Sequence, residues 1–192
     1  MFALRACTID RCHHWAYGKG ELCYHHSPDQ NEILRQAVQS LSDDQPLVDL
    51  SVSEAHFTGF CVAPKRIAGV NLAWSTFTDV DFSGVTMVNS FFDFCLFERC
   101  RFNDVDVRYS VFAGSRFVEC DLSQSLFIHT NFSGIKAEHS NFGSCDFYYA
   151  TFHTADLRST SLEDCNLKKT DFRNCALQDV SVRYSNWEEA HR

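Results

Sequence analysis

The feature that most constrains this chain is a large apolar residue at every fifth position, in a register that runs unbroken from Phe57 to Trp187. The series reads Phe57, Val62, Ile67, Leu72, Phe77, Phe82, Met87, Phe92, Phe97, Phe102 and continues through Phe172 and Leu177. Two residues before each stands a small one, as at Ser75, Ser90, Cys95, Cys100, Ser115, Cys120 and Cys145. A period of five fits neither an α-helix, at about 3.6 residues, nor a strand, at about two. It requires a backbone that turns a corner every five residues and sends one large and one small side chain inward. The eighteen Phe of the chain supply a regularly repeated aromatic core for such a path.

Segments such as CDLSQ at 120–124, ADLRS at 155–159, CNLKK at 165–169 and TDFRN at 170–174 carry the pattern most clearly. They resemble the A(D/N)LXX unit of the pentapeptide-repeat family, and the resemblance extends over residues 51–192. It implies an all-β solenoid, a right-handed quadrilateral β-helix with four pentapeptides per coil and about seven coils. With coils spaced like β-strands at ~4.8 Å, the rod is roughly 30 Å long. Residues twenty apart then stack on one face. Six cysteines fall at the small inward position and are expected to behave as compact apolar residues rather than as a redox pair.

Two departures from the pattern stand out. Ala137 is small where a large residue belongs, but Ile135 is large where a small one belongs, an exchange that conserves volume. Phe60, Pro64 and Lys65 disturb the first coil: Lys65 is phased to point inward, and proline cannot donate to a ladder. A bulge into a loop is expected at that corner.

Residues 1–26 read as a separate zinc knuckle. Cys7, Cys12, Cys23 and His26 offer three thiolates and an imidazole, the donors of a closed, structural Zn²⁺ site. His25 is an alternative to His26 as fourth ligand, and His13 and His14 stand close by in sequence. Gly18-Lys19-Gly20 suits a turn between the two halves. The segment resembles a treble-clef-like zinc knuckle. So few aliphatic side chains would not hold it together without such a staple.

A helix and linker follow over 27–50. Ser27 is expected to N-cap, with Pro28 at the first helical position and Gln30 completing a capping box. Ile33, Leu34, Ala37, Val38 and Leu41 form one apolar stripe at helical spacing, suited to covering the open first coil. At the other end Trp187 holds the last core position. That end suits a homodimer formed against a second copy.

Function is expected on the outer faces. One carries Trp74, Phe91, Phe94 and Val111, which form either a partner surface or a seat for the knuckle and helix. The next carries Arg108, Tyr109, Ile128, His129, Tyr148, Tyr149, Lys168 and Lys169, residue types that anchor protein interfaces or else shield ladder edges. A third, with Asp81, Asp104, Asp121, Glu163 and Asp164, is acidic. Some members of the family resemble a DNA duplex and protect DNA gyrase from quinolones, which is the alternative function. This chain departs from them in its shorter rod, its basic strip and its knuckle.

Net charge is −8, which disfavours nucleic acid as a partner. The first residues lack the apolar run of a secretory signal, and no stretch reaches the roughly 18 apolar residues of a membrane span. A cytoplasmic protein in a reducing compartment is expected. His56, His129, His139 and His153 are not set beside a nucleophile and carboxylate as a triad would need, so no enzyme is expected. The sequence thus predicts a non-enzymatic scaffold for an unidentified protein partner.

Overall fold

The computed structural model describes residues 5–18 and 20–192. From Leu47 onward the pairing is parallel, between residues twenty places apart. Leu47–Val48, Arg66–Ala68, Thr86–Val88, Asp106–Arg108 and Leu126–Ile128 make one five-stranded parallel sheet. His56–Thr58, Thr76–Thr78, Leu96–Glu98, Arg116–Val118, Lys136–Glu138, Asp156–Arg158 and Ala176–Gln178 make a seven-stranded one. Between the sheets run two rows of single bridges, one through Asn71, Phe91 and Val111 and one through Asp81, Arg101 and Asp121. Four pairing rows set five residues apart give a parallel solenoid of about seven turns.

After the two-residue Leu47–Val48 each strand is three residues long, so only its middle side chain faces inward. Phe77, Met87, Phe97 and Val107 occupy such places and are fully buried. Because the turns are spaced like neighbouring strands, the rings stack at that spacing. Phe57–Phe77, Phe77–Phe97 and Phe97–Phe117 lie 4.9, 5.0 and 4.9 Å apart, with interplanar angles of 6°, 11° and 13°. A parallel column of this kind joins Phe92, Phe112, Phe132, Phe152 and Phe172. Ala137 interrupts the first column between Phe117 and Leu157, and both it and Ile135 are buried.

The small inward residues do more than fit. Ser115 Oγ donates to Phe92 O at 2.7 Å and accepts from Cys95 N at 2.9 Å. Ser125 makes the equivalent pair with Phe102 O and Val105 N. Thiols take the same donor role: Cys95 to Leu72 O, Cys145 to Leu122 O and Cys165 to Phe142 O, at 3.2, 3.0 and 3.1 Å. A short side chain with an O–H or S–H thereby satisfies buried backbone groups of adjacent turns, which apolar packing alone would leave unpaired.

The residue two places after each large one takes a left-handed conformation. Non-glycine φ values there run from 47° at Ser159 to 64° at Tyr184, and between Asp49 and Tyr184 the column is interrupted only at Pro64. The proline ring holds φ near −65° and cannot enter that region. The corner at Pro64 therefore turns differently, but it does not bulge into a loop as expected. Cys61 bridges Asp81, Thr86 N donates to Lys65 O at 2.9 Å, and Ile67 pairs with Met87.

Lys65 points inward, as its phase requires, with a side chain only 2 % exposed. Its ammonium reaches the end of the helix α1, Gln30–Ser42, donating to Ser40 O, to Asp43 O at 2.9 Å and to Asp43 Oδ1 at 2.9 Å. Carbonyls at a helix C-terminus have no partner within the helix and attract a cation. Ile33, Ala37 and Leu41 of α1 join the same buried cluster as Leu50, Val52 and Val62. The cap at the other end of α1 is Asp29 rather than Ser27: Asp29 Oδ1 accepts from Glu32 N at 2.9 Å. The Ser27 hydroxyl is taken up one step earlier, accepting from Asp29 N at 3.3 Å.

Candidate functional site

The N-terminal segment is built from short return contacts. Ala6 bridges Trp15 antiparallel, Cys7 N donates to His14 O at 2.9 Å, and Tyr17 N donates to Leu22 O at 2.9 Å. Gly18 has φ 56°, and Gly20 N closes the turn on Tyr17 O at 3.0 Å. Lys19, the middle of the expected turn, lies outside the described residues. These returns bring Cys7 and Cys12 against Cys23 and the 3-10 turn Tyr24–His26.

Cys12 Sγ stands 3.8 Å from Cys23 Sγ, and His26 Nδ1 stands 3.5 Å from Cys7 Sγ and 3.3 Å from Cys23 Sγ. Tetrahedral bonds of about 2.3 Å to sulfur and about 2.0 Å to nitrogen put S···S at roughly 3.8 Å and S···N at roughly 3.5 Å. The four donors therefore fit a tetrahedral ion. Burial pushes the Cys7 thiol up, but hydrogen bonds from the backbone of Ile9 and Cys23 and from His26 and Cys12 outweigh it and bring the thiol down to about 6. His25 turns away from this cluster. Its Nε2 lies 3.3 Å from Glu54 Oε2, and His14 Nε2 lies 3.2 Å from Glu54 Oε1.

The thiols of the solenoid differ. Burial pushes Cys165 up to about 11, and contact with Cys100 together with burial pushes Cys120 up further still. Cys120 and Cys165 are structural donors bonded to carbonyls, whereas the same Cys100–Cys120 contact pushes Cys100 down.

A family model for pentapeptide repeats matches in eight copies over residues 67–104, 108–143, 125–164 and 145–183. The chain belongs to the pentapeptide repeat family. No curated protein matches this pentapeptide repeat chain in sequence. Among solved structures it is similar to the pentapeptide repeat protein Rfr23 from the cyanobacterium Cyanothece 51142, at 10 % identity and TM-score 0.44, covering 84 % of this chain and 97 % of that one. QnrB1, a plasmid-mediated fluoroquinolone resistance protein, matches at 21 % identity and TM-score 0.33, over 73 % and 74 % of the two chains. HetL, a pentapeptide repeat protein involved in heterocyst differentiation regulation from the cyanobacterium Nostoc sp. strain PCC 7120, matches at 13 % identity and TM-score 0.23, over 84 % and 93 %.

On the outside of the repeats, left-handed corner positions twenty residues apart stack in columns. Tyr109, His129 and Tyr149 stack with centroids 5.1 and 5.0 Å apart and interplanar angles of 13° and 10°. Lys169 ends the column, its ammonium donating to the Tyr149 hydroxyl at 2.6 Å, and Tyr148 packs edge-on to Tyr149 at 4.7 Å. The neighbouring charges are engaged: Arg108 with Asp106 at 2.7 Å and Lys168 with Glu189 at 3.5 Å.

On the next row Trp74 stacks on Phe94 at 4.2 Å, and the two are 57 % and 50 % exposed. A Cβ at Gly114 would stand 2.5 Å from the Phe94 ring, so glycine is what lets that ring lie flat. Beside this pair a cavity of about 680 Å³ is lined by His13, His14, Trp15, Glu54, Trp74 and Phe91, among others. The knuckle thus borders the aromatic patch and leaves its outer side open. Val111, expected in that patch, bridges Phe91. In the acidic row two of the five named carboxylates pair across turns, Asp81 with Arg101 at 2.6 Å and Glu163 with Arg183 at 2.7 Å.

Sequence reasoning named the column's members but not the column. The signal was present, since Tyr109, His129, Tyr149 and Lys169 are twenty residues apart. Glu54 and its two histidines were not foreseen, because nothing in the spacing links the knuckle to the first turn. Among the described residues no helix is long and apolar enough to cross a membrane.

Proposed function

We propose that the chain is a non-enzymatic docking scaffold, a right-handed, four-sided β-helix that presents pre-stacked aromatic side chains to a protein partner. The observation that carries this reading is the exposed Tyr109–His129–Tyr149 column, closed by Lys169. Side chains already fixed by stacking lose little freedom on binding, and Tyr is a frequent interface anchor. The Trp74–Phe94 pair extends the surface to the adjoining row. A protein is favoured over nucleic acid, because Arg108 and Lys168 are already paired and the net charge is −8. The filled Phe interior leaves recognition to the outer faces.

Within this reading Zn²⁺ at Cys7, Cys12, Cys23 and His26 is structural, since four protein ligands leave no position for water. Helix α1 covers the first turn, as solenoid ends require. A second copy of the chain meets the other end, where Leu177 is 43 % exposed. The compartment is the cytoplasm, whose reducing poise keeps thiolate ligands and buried thiols intact.

The test is affinity capture from native lysate by the full chain and by the Tyr109→Ala/Tyr149→Ala double variant. A discrete protein whose recovery falls at least tenfold with the double variant is expected. Equal recovery with both baits removes the column from the function. Inhibition of purified DNA gyrase supercoiling by the chain would replace this reading with gyrase modulation. At least one zinc per chain is expected in protein purified without chelator, and a monomeric mass at micromolar concentration in light scattering counts against the second copy.

A further inference from the structure

The 3-10 turn Tyr24–His26 sends two consecutive imidazoles to different places. His26 joins the thiolates, whereas His25 meets His14 and Glu54 at the junction of knuckle and first turn. The ring centroids of His14 and His25 are 5.3 Å apart, and Glu54 divides its carboxylate between them, Oε1 at 3.2 Å from His14 Nε2 and Oε2 at 3.3 Å from His25 Nε2. Two donors each about 2.0–2.1 Å from a shared tetrahedral ion stand roughly 3.3 Å apart. The two separations, each to a different oxygen of Glu54, are of that size, and one donor atom from each of the three residues lies within 4.8 Å of the others.

Two further observations point to a ligand. His25 Nε2 is shut off from solvent, and Glu54 Oε2, 3.3 Å away, does not align with it as a hydrogen-bond partner. A ring nitrogen in that state is poised to donate its lone pair to a cation. His14 Nδ1 lies 3.4 Å from Ser53 Oγ, a contact that orients the ring and leaves Nε2 for the ion. His14 and Glu54 also line the 680 Å³ cavity beside Trp74 and Phe91.

We propose that His14, His25 and Glu54 form a second transition-metal site, separate from the thiolate cluster, whose remaining coordination positions face that cavity. Two imidazoles and a carboxylate are borderline donors, suited to Zn²⁺, Co²⁺ or Ni²⁺ rather than to Ca²⁺ or Mg²⁺. Three protein ligands, unlike four, leave room for an exogenous donor. The ion also ties the knuckle to the repeats, because Glu54 belongs to the first turn and the histidines do not.

The site rests on the knuckle fold of the preceding section, and a cobalt titration separates the two. Metal-free full-length chain is titrated with Co²⁺ and followed by absorption. One equivalent is expected to develop thiolate-to-cobalt charge-transfer bands, and a second to bind without them. In His14→Ala and Glu54→Gln the second equivalent is lost while the charge-transfer bands stay, which also shows that the knuckle remains folded. A single equivalent in the wild type that carries the charge-transfer bands, or a second one that survives both substitutions, overturns the proposal. Loss of the charge-transfer bands alone, with a substitution-sensitive non-thiolate equivalent retained, supports this site and overturns only the thiolate reading. Azide should shift the spectrum of the second equivalent; an unmoved spectrum overturns the assignment of open positions.

Discussion

The knuckle and the solenoid solve the same problem by different means. In the solenoid two side chains in every five turn inward, and each turn is covered by the next. Before the helix, by contrast, the described residues that are buried are Cys7, Ala16 and Cys23. Two of those three are ligand candidates. One region is held by apolar area distributed along its length, so damage is shared with neighbouring turns. On the reading proposed above the other is held at a point, its metal centre, so loss of that point is loss of the region. A molecule joined from two such parts should have two separable unfolding events.

The sharpest way to break this contrast is Cys23→Ser, or chelation of the wild type. Either should abolish ordered structure up to about residue 26, seen as lost dispersion of its amide signals, while the far-UV signal of the solenoid persists. One transition shared by both regions would show that they are not independent. Phe97→Ala should do the reverse. It removes a fully buried ring between Phe77 and Phe117 and should cost roughly 3–5 kcal/mol in the main denaturant transition, with metal content unchanged.

Lys65→Met probes the seam between the parts. The apolar stem is kept, but the carbonyls of Ser40 and Asp43 lose their buried donor, at a cost of about 2 kcal/mol. Hydrogen exchange should quicken at the end of α1 more than in the repeats.

The smallest effect is an acid one. Arg173 hydrogen bonds hold Asp171 at about 2, against the opposing influence of burial. A depressed carboxylate adds stability above its unfolded value of about 3.9 and loses it as pH falls through the folded value. Arg173 is largely in water, so the contribution is roughly 0.5 kcal/mol. Wild type should exceed Asp171→Asn in stability at pH 6 and match it near pH 2, as read from urea midpoints at each pH.

The periodic part of this molecule was legible because each inward place asks for bulk, and bulk is visible in a side chain's identity. Phe77 and Phe97 announce a stack plainly. The direction of Lys65 was legible too, but its partner was not, since the carbonyls it reaches come from a helix more than twenty residues upstream. At the start of α1, Ser27 and Asp29 are both good caps, and only the placement of the first turn decides between them. The small ladder was read as a matter of size; its hydrogen bonds were hidden because Ser, Thr and Cys look alike when volume alone is considered. Glu54 was invisible for a different reason. It stands at an outward corner of an otherwise regular repeat and acquires meaning only from a segment folded independently beside it.

The ladder thiols turn the rod into a graduated recorder of its own opening. Cys95, Cys100, Cys120, Cys145, Cys165 and Cys175 are spread along about four turns of the rod, each tied to a carbonyl of the turn before it. An alkylating reagent reaches a given thiol only when its own level comes apart. The sequence in which these six are modified under mild denaturant therefore reports the direction in which the rod unzips. Cys175, the least buried of them, is expected to be modified first if the rod opens from its last turn.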